Sequence, residues 1–138
     1  MKKIILFLFI CLLYCSFTVK AAPSIIGTWY GLKDGSPVTV VFRNDQTVSI
    51  QADAFSAMSF TGKYKIDSSV SPIAVDLTIP GGMVCAAIVN FSNSEEMEFF
   101  GIFGALGYTQ RPAAIDANSK RPEALYLKLS RDSTVIEQ

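Results

Sequence analysis

From residue 25 onward, apolar and polar side chains alternate in short bursts, and that period of two decides the fold class. Residues two apart share a face in a strand but lie on opposite sides of a helix, so this chain can bury a continuous surface only as β-sheet. Met58, Phe60, Gly62, Tyr64 and Ile66 alternate with Ser59, Thr61, Lys63 and Lys65. Ile73, Val75, Leu77 and Ile79 alternate with Ala74, Asp76 and Thr78, and Leu125, Leu127 and Leu129 with Tyr126, Lys128 and Ser130. Val38, Val40 and Phe42, then Val48 and Ile50, then Met97, Phe99, Gly101 and Phe103 supply further rows. Ile25–Leu32 and the more uniformly apolar Met83–Phe91 bring the predicted strands to eight.

Between these runs lie Asp34-Gly35-Ser36-Pro37, Asn44-Asp45, the stretch Asp67 to Pro72, and Pro80-Gly81-Gly82. Each supplies residues that fix a turn or tolerate positive φ, and connections this short predict antiparallel hairpins. The exception is Gly104 to Glu123, which carries two Arg-Pro pairs and room for one helical turn or an irregular flap. Eight consecutive strands with one apolar face must protect their edges, and closure into an up-and-down barrel does so. A two-sheet sandwich satisfies the same alternation. All-β architecture follows from the pattern; barrel against sandwich does not.

Ahead of this domain stands a different kind of segment. Met1-Lys2-Lys3 is basic, and residues 4–17 are apolar apart from Ser16. Such a run is too short for a helix across a ~30 Å hydrocarbon core but fits the apolar region of a signal peptide. Val19 and Ala21 occupy −3 and −1 for cleavage after Ala21, so residues 1–21 are expected to be a cleavable signal peptide and 22–138 the domain. The expected destination is the periplasm or the outside, with no transmembrane span in the mature chain. Lipidation at Cys15 is the weaker alternative, because Tyr14 stands where a small residue is wanted.

Removing residues 1–21 takes out Lys2, Lys3 and Lys20 and no acid, leaving 117 residues with 9 basic and 12 acidic side chains, net −3. That balance, with basic residues scattered over several strands, gives no footprint for nucleic acid. Cys11 and Cys15 leave with the leader. The remaining Cys85 has no disulfide partner and reads, in Met83–Val89, as a buried and unreactive small hydrophobe. The chain has no histidine, which removes the commonest general base and the commonest metal ligand together. Glu95, Glu96 and Glu98 read as a solvated hairpin edge, Asp76 should face outward, and the glycines of 101–107 lack the Lys-Ser/Thr of a phosphate loop. No catalytic constellation, metal site or cofactor is expected.

Gly27-Thr28-Trp29 opens the first strand and Arg131 follows the last. This resembles the lipocalin superfamily, in which Gly-x-Trp begins strand one and a late Arg packs across the Trp at the closed end. The order of further stations is similar to small bacterial lipocalin-like domains: Gly62-Lys63-Tyr64-Lys65-Ile66-Asp67, Pro72-Ile73-Ala74-Val75-Asp76-Leu77, Arg111-Pro112, and Leu125 to Arg131. The resemblance implies a single lipocalin-like barrel with Gly27, Trp29 and Arg131 as its structural signature. The almost wholly apolar inward rows make a binding protein for a small hydrophobic ligand, expected as a monomer, the leading expectation. Phe42, Phe60, Tyr64, Phe99, Phe103 and Leu127 are the candidate cavity lining, with Tyr64 as a polar handle. Arg111 and Arg121 are candidate rim or loop contacts. The alternative is an envelope or secreted interaction module with a solid core, acting through the Gly104–Glu123 loop and the outward aromatics Tyr30, Phe100 and Tyr126.

Overall fold

The computed structural model describes residues 22–52, 59–105 and 109–137. The predicted leader with Cys11 and Cys15, and Met58, Leu106 and Gly107, lie outside the described residues.

Eight strands follow in chain order: β1 (Gly27–Lys33), β2 (Ser36–Phe42), β3 (Thr47–Ala52), β4 (Phe60–Asp67), β5 (Ile73–Ile79), β6 (Met83–Phe91), β7 (Glu96–Ala105) and β8 (Ala124–Ser130). Each pairs antiparallel with the next, and β8 returns to β1, so the sheet is a closed up-and-down barrel. The sandwich is thereby excluded. A single 3-10 turn, Ser133–Ile136, follows β8. It begins where the Asp132 side chain accepts the Thr134 N–H, a contact that holds the Asp132 carboxyl below its usual range.

Local chemistry accounts for the hairpins. Asp34 (φ 51°) and Gly35 (φ 79°) both sit in the left-handed region between Lys33 and Ser36. A two-residue turn of that kind matches the twist of the strands it joins, and glycine meets its second position without a Cβ penalty. At the β2–β3 turn, Asp45 accepts from both the N–H and the hydroxyl of Thr47 at 3.0 and 2.5 Å. Asp67 does the same with Ser69 after β4, and these bonds hold both carboxyls below their usual range.

The inward rows meet as the alternation predicts. Trp29, Val38, Val40, Phe42, Ile50, Leu77, Phe99, Leu125, Leu127 and Leu129 are each at most 2% exposed. Packing between them is tight. A side chain at Gly101 would run into the Cys85 sulfur, with Phe99 Cε1 at 3.1 Å and Ala87 Cβ at 3.2 Å. Two details depart from expectation. The first strand begins at Gly27 rather than Ile25, because Gly27 adopts φ +125° and breaks the extended run. Ile66, placed by parity in an inward row, is 38% exposed. Its strand overshoots the barrel: β3 starts at Thr47 opposite Lys63, so residues 64–67 of β4 have no β3 neighbour.

Outside the barrel a second apolar surface forms. Registers align Ala74, Ile88, Phe100 and Tyr126 in one outward row across β5–β8, and Asp76, Ala86, Ile102 and Ala124 in the next. Ile88, Phe100 and Ile102 are buried there, and Ile115 from the β7–β8 connection, itself partly buried, packs against them. Phe100 was expected to be an outward aromatic open to partners. It points outward but is only 4% exposed, because that connection lies over it.

Candidate functional site

The two ends of the barrel differ in chemistry. At one end, β1 begins and β8 finishes side by side, which brings the predicted signature residues together. Trp29 is fully buried and its indole N–H donates to the Ile25 carbonyl at 2.7 Å. The Arg131 guanidinium lies over the indole, its Cζ 4.1 Å from the ring centroid. Arg131 also donates through Nη2 to Ser24 O and Ile26 O at 2.8 and 2.9 Å, and through Nε to Ser94 O at 3.2 Å. Gly27 leaves the space this requires, since a Cβ there would collide with Arg131 Nη1. Phe91 adds a tilted aromatic contact to Trp29 with centroids 6.1 Å apart. No side-chain polar atom buried among the described residues lacks a partner, and the stacked Trp29 and Arg131 form a plug at this end.

The predicted cavity lining divides. Phe42, Phe99 and Leu127 lie in the packed interior. Tyr64 is buried with them, edge-on to Phe42 at 5.1 Å, and its hydroxyl donates to the Arg43 carbonyl at 2.9 Å. Desolvation first, and the negative charge of Asp45 second, raise the Tyr64 pKa. Four of the six therefore share one core, and the handle assigned to Tyr64 is already engaged by backbone.

The other two, Phe60 and Phe103, sit half-buried at the opposite end. They meet edge-to-face with centroids 6.3 Å apart. They line a recess of about 270 Å³ with Ile79, Met83, Pro122, Glu123, Ala124 and Leu125. A second recess of about 390 Å³ continues from it over Gly81, Gly82, Gly104 and Ala105, sharing Met83 and Phe103. Met83 is 48% exposed, the most exposed large hydrophobic among the described residues. Among the described residues the lining of the mouth is mainly apolar, with Glu123 as its ionisable side chain.

No protein-family model, curated protein or solved structure matches this chain. What the site can do rests on its geometry.

Arg111 and Arg121 belong to the connection between β7 and β8, which runs as a strap over the outer wall. Arg111 Nη1 donates to Ala87 O at 2.7 Å and Val75 O at 3.4 Å, and Nη2 to Asp76 Oδ1 at 2.6 Å. Arg121 makes no side-chain hydrogen bond or ion pair among the described residues. Both line a polar recess of about 270 Å³ between strap and wall, floored by Phe100 and Ile102. Cys85 lies inside the barrel. Burial, and secondarily the charge of Asp76, push its thiol up to about 12, so it has no thiolate to offer near neutrality.

Sequence reasoning missed Ile79, Met83, Pro122 and Leu125 at the mouth, and Asp76 as the partner of Arg111. Parity places Ile79 and Leu125 inward but does not say which end of the barrel they reach. Met83 follows Gly81-Gly82, and that turn was a usable signal that it stands at a rim. Nothing in sequence joins Asp76 to Arg111.

Proposed function

We propose that the protein is an exported, lipocalin-like binding protein that takes a small apolar ligand at the mouth of the barrel, not in its interior. The observation that carries this reading is the half-buried Phe60–Phe103 pair opening on an apolar recess beside exposed Met83. Isolated exposed apolar residues are ordinary on a protein surface. A concave group of aromatic, aliphatic and thioether side chains is what a ligand site is built from. The volumes set the scale: the two recesses that join at Met83 and Phe103, about 270 and 390 Å³, suit a ligand of two or three rings or an alkyl chain of similar bulk. Export and lipocalin kinship are supported by the pattern of residues 1–21 and by the meeting of Gly27, Trp29 and Arg131.

A neutral apolar dye, N-phenyl-1-naphthylamine, titrated into the purified protein tests the reading. Binding at micromolar concentration that weakens roughly tenfold in Phe103→Ala supports it, a loss on the scale of one buried aromatic contact. Absence of dye binding, or binding indifferent to Phe103→Ala, overturns it. N-terminal sequencing of the exported protein tests the leader separately, with Ala22 expected as the first residue.

A further inference from the structure

The strap of residues 109–123 has no regular secondary structure, yet its two ends touch two different parts of the barrel. Near its start, Arg111 is held by three acceptors on β5 and β6: the carbonyls of Val75 and Ala87 and the carboxylate of Asp76. At its end, Pro122 and Glu123 form a wall of the mouth recess. The Glu123 carbonyl accepts the Phe103 N–H at 2.9 Å, so the backbone of this wall is bonded directly to one of the two mouth aromatics. The ends are also close to each other, because Arg111 and Arg121 line one recess beneath the strap. Both ends thus border one recess, and Arg121 leads directly to the mouth, through its neighbour Pro122 and through its carbonyl, which accepts the Ala124 N–H at 3.0 Å.

We propose that Arg111 is a positioning residue for the mouth site: it holds the strap on the outer wall and so fixes the wall that Pro122 and Glu123 present to a ligand. This rests on the reading of the mouth as a ligand site. A guanidinium suits the task because its planar fork reaches two carbonyls and a carboxylate at once. Asp76 is about half exposed, so salt screens the ion pair, while the two carbonyl bonds persist at high ionic strength. Coupling between two such sites is reciprocal at equilibrium: whatever the latch does to ligand affinity, the ligand must do to the latch.

The experiment uses the full-length mature protein and N-phenyl-1-naphthylamine. Dissociation of the dye is followed by stopped flow in the wild type, Arg111→Ala, Arg111→Lys and Asp76→Asn. Arg111→Ala is expected to release the dye roughly fivefold faster or more. Asp76→Asn, which keeps both carbonyl bonds, should change the rate less, and Arg111→Lys should fall between. Trp29 emission, at the far end of the barrel, should stay constant in all of them and so separate positioning from damage to the fold. In the wild type, saturating dye should slow amide hydrogen exchange across Gln110–Ser119, which a merely structural Arg111 would not produce. Dye release identical in wild type and Arg111→Ala, or strap exchange indifferent to bound dye, overturns the proposal while leaving the mouth site standing. If the wild type binds no dye, or binding ignores Phe103→Ala, the mouth reading fails and the coupling fails with it. Should Arg111→Ala shift Trp29 emission, Asp76→Asn and the wild-type exchange measurement decide.

Discussion

At the scale of single residues, Gly27, Trp29 and Arg131 show how three positions far apart in sequence make one interaction. Trp29 offers a π-face, Arg131 a charge that stacks on it, and Gly27 both the space and a backbone conformation closed to other residues. Removing the guanidinium with Arg131→Ala should cost about 1–2 kcal/mol, through lost cation–π contact and stem packing, and should red-shift the only tryptophan emission. Gly27→Ala should cost more than about 1 kcal/mol, from positive φ and the collision with Nη1 together. In the Arg131→Ala background the collision disappears and only the conformational part remains, so the two losses should sum to more than the double variant shows in chemical denaturation. Cys85 makes the other residue-scale prediction. Its thiol ionises near 9 in the unfolded chain and near 12 in the folded one, so the unfolded state holds fewer protons between those values. Stability should be intact below pH 9 and fall above it, by up to ~1.4 kcal/mol per pH unit. Tyr126 acts in the same direction: desolvation first, and its bond to Glu98 second, push it from 10.0 to about 12. Cys85→Ala should flatten the decline between pH 9 and 10, where Tyr126 contributes little. A native thiol alkylated quickly at neutral pH would contradict this assignment.

At the scale of strands, the eight elements were legible because each states its period and its stop signal locally. Lys33-Asp34-Gly35-Ser36 announces a tight hairpin, and the register confirms it from Gly27↔Phe42 to Lys33↔Ser36. What sequence could not give was the length of each pairing. Met83–Phe91 and Met97–Ala105 pair over nine residue pairs, whereas the seam that closes the barrel has only Tyr30↔Ser130 and Gly31↔Leu129. That seam is close: a Cβ on Gly31 would sit 2.5 Å from the Lys128 carbonyl oxygen. It has no local sequence signal, because it joins residues about 100 apart. The strap was likewise legible as a long connection but not as a cover, since its contact with Ile88, Phe100 and Ile102 depends on the outer rows that the registers assemble. Local opening follows the number of ladder bonds that must break. Amide hydrogen exchange should therefore be fastest among the strands at Leu32–Lys33 and slowest in β6 and the facing half of β7. Uniform protection around the barrel would show that side-chain packing, rather than pairing length, governs the seam.

At the scale of the whole molecule, the barrel carries the Trp29–Arg131 plug at one end and the proposed ligand mouth at the other. The candidate lining named from parity split for a simple geometric reason: parity says which residues face inward, but position along the axis decides whether inward means core or mouth. Phe42, Phe99 and Leu127 fell in the middle of the filled interior, and Phe60 and Phe103 at an end. The plug at the other end fixes closure through Trp29 and Arg131. The registers set Trp29, Val40, Ile50 and Phe60 in one row, so the tryptophan and the nearer mouth aromatic stand three strands apart, roughly 14 Å along the sheet, a separation at which substitutions usually add within about 0.5 kcal/mol. Arg131→Ala should therefore lower the unfolding free energy without altering dye affinity. Met83→Ala, at a half-exposed rim position, should weaken the dye with little change in stability. Combined, the two should sum in both measurements. Loss of dye affinity in Arg131→Ala at temperatures where the barrel remains folded would mean that the ends communicate through the packed interior. The interior would then be part of the binding site, and the division of labour along the axis would be wrong.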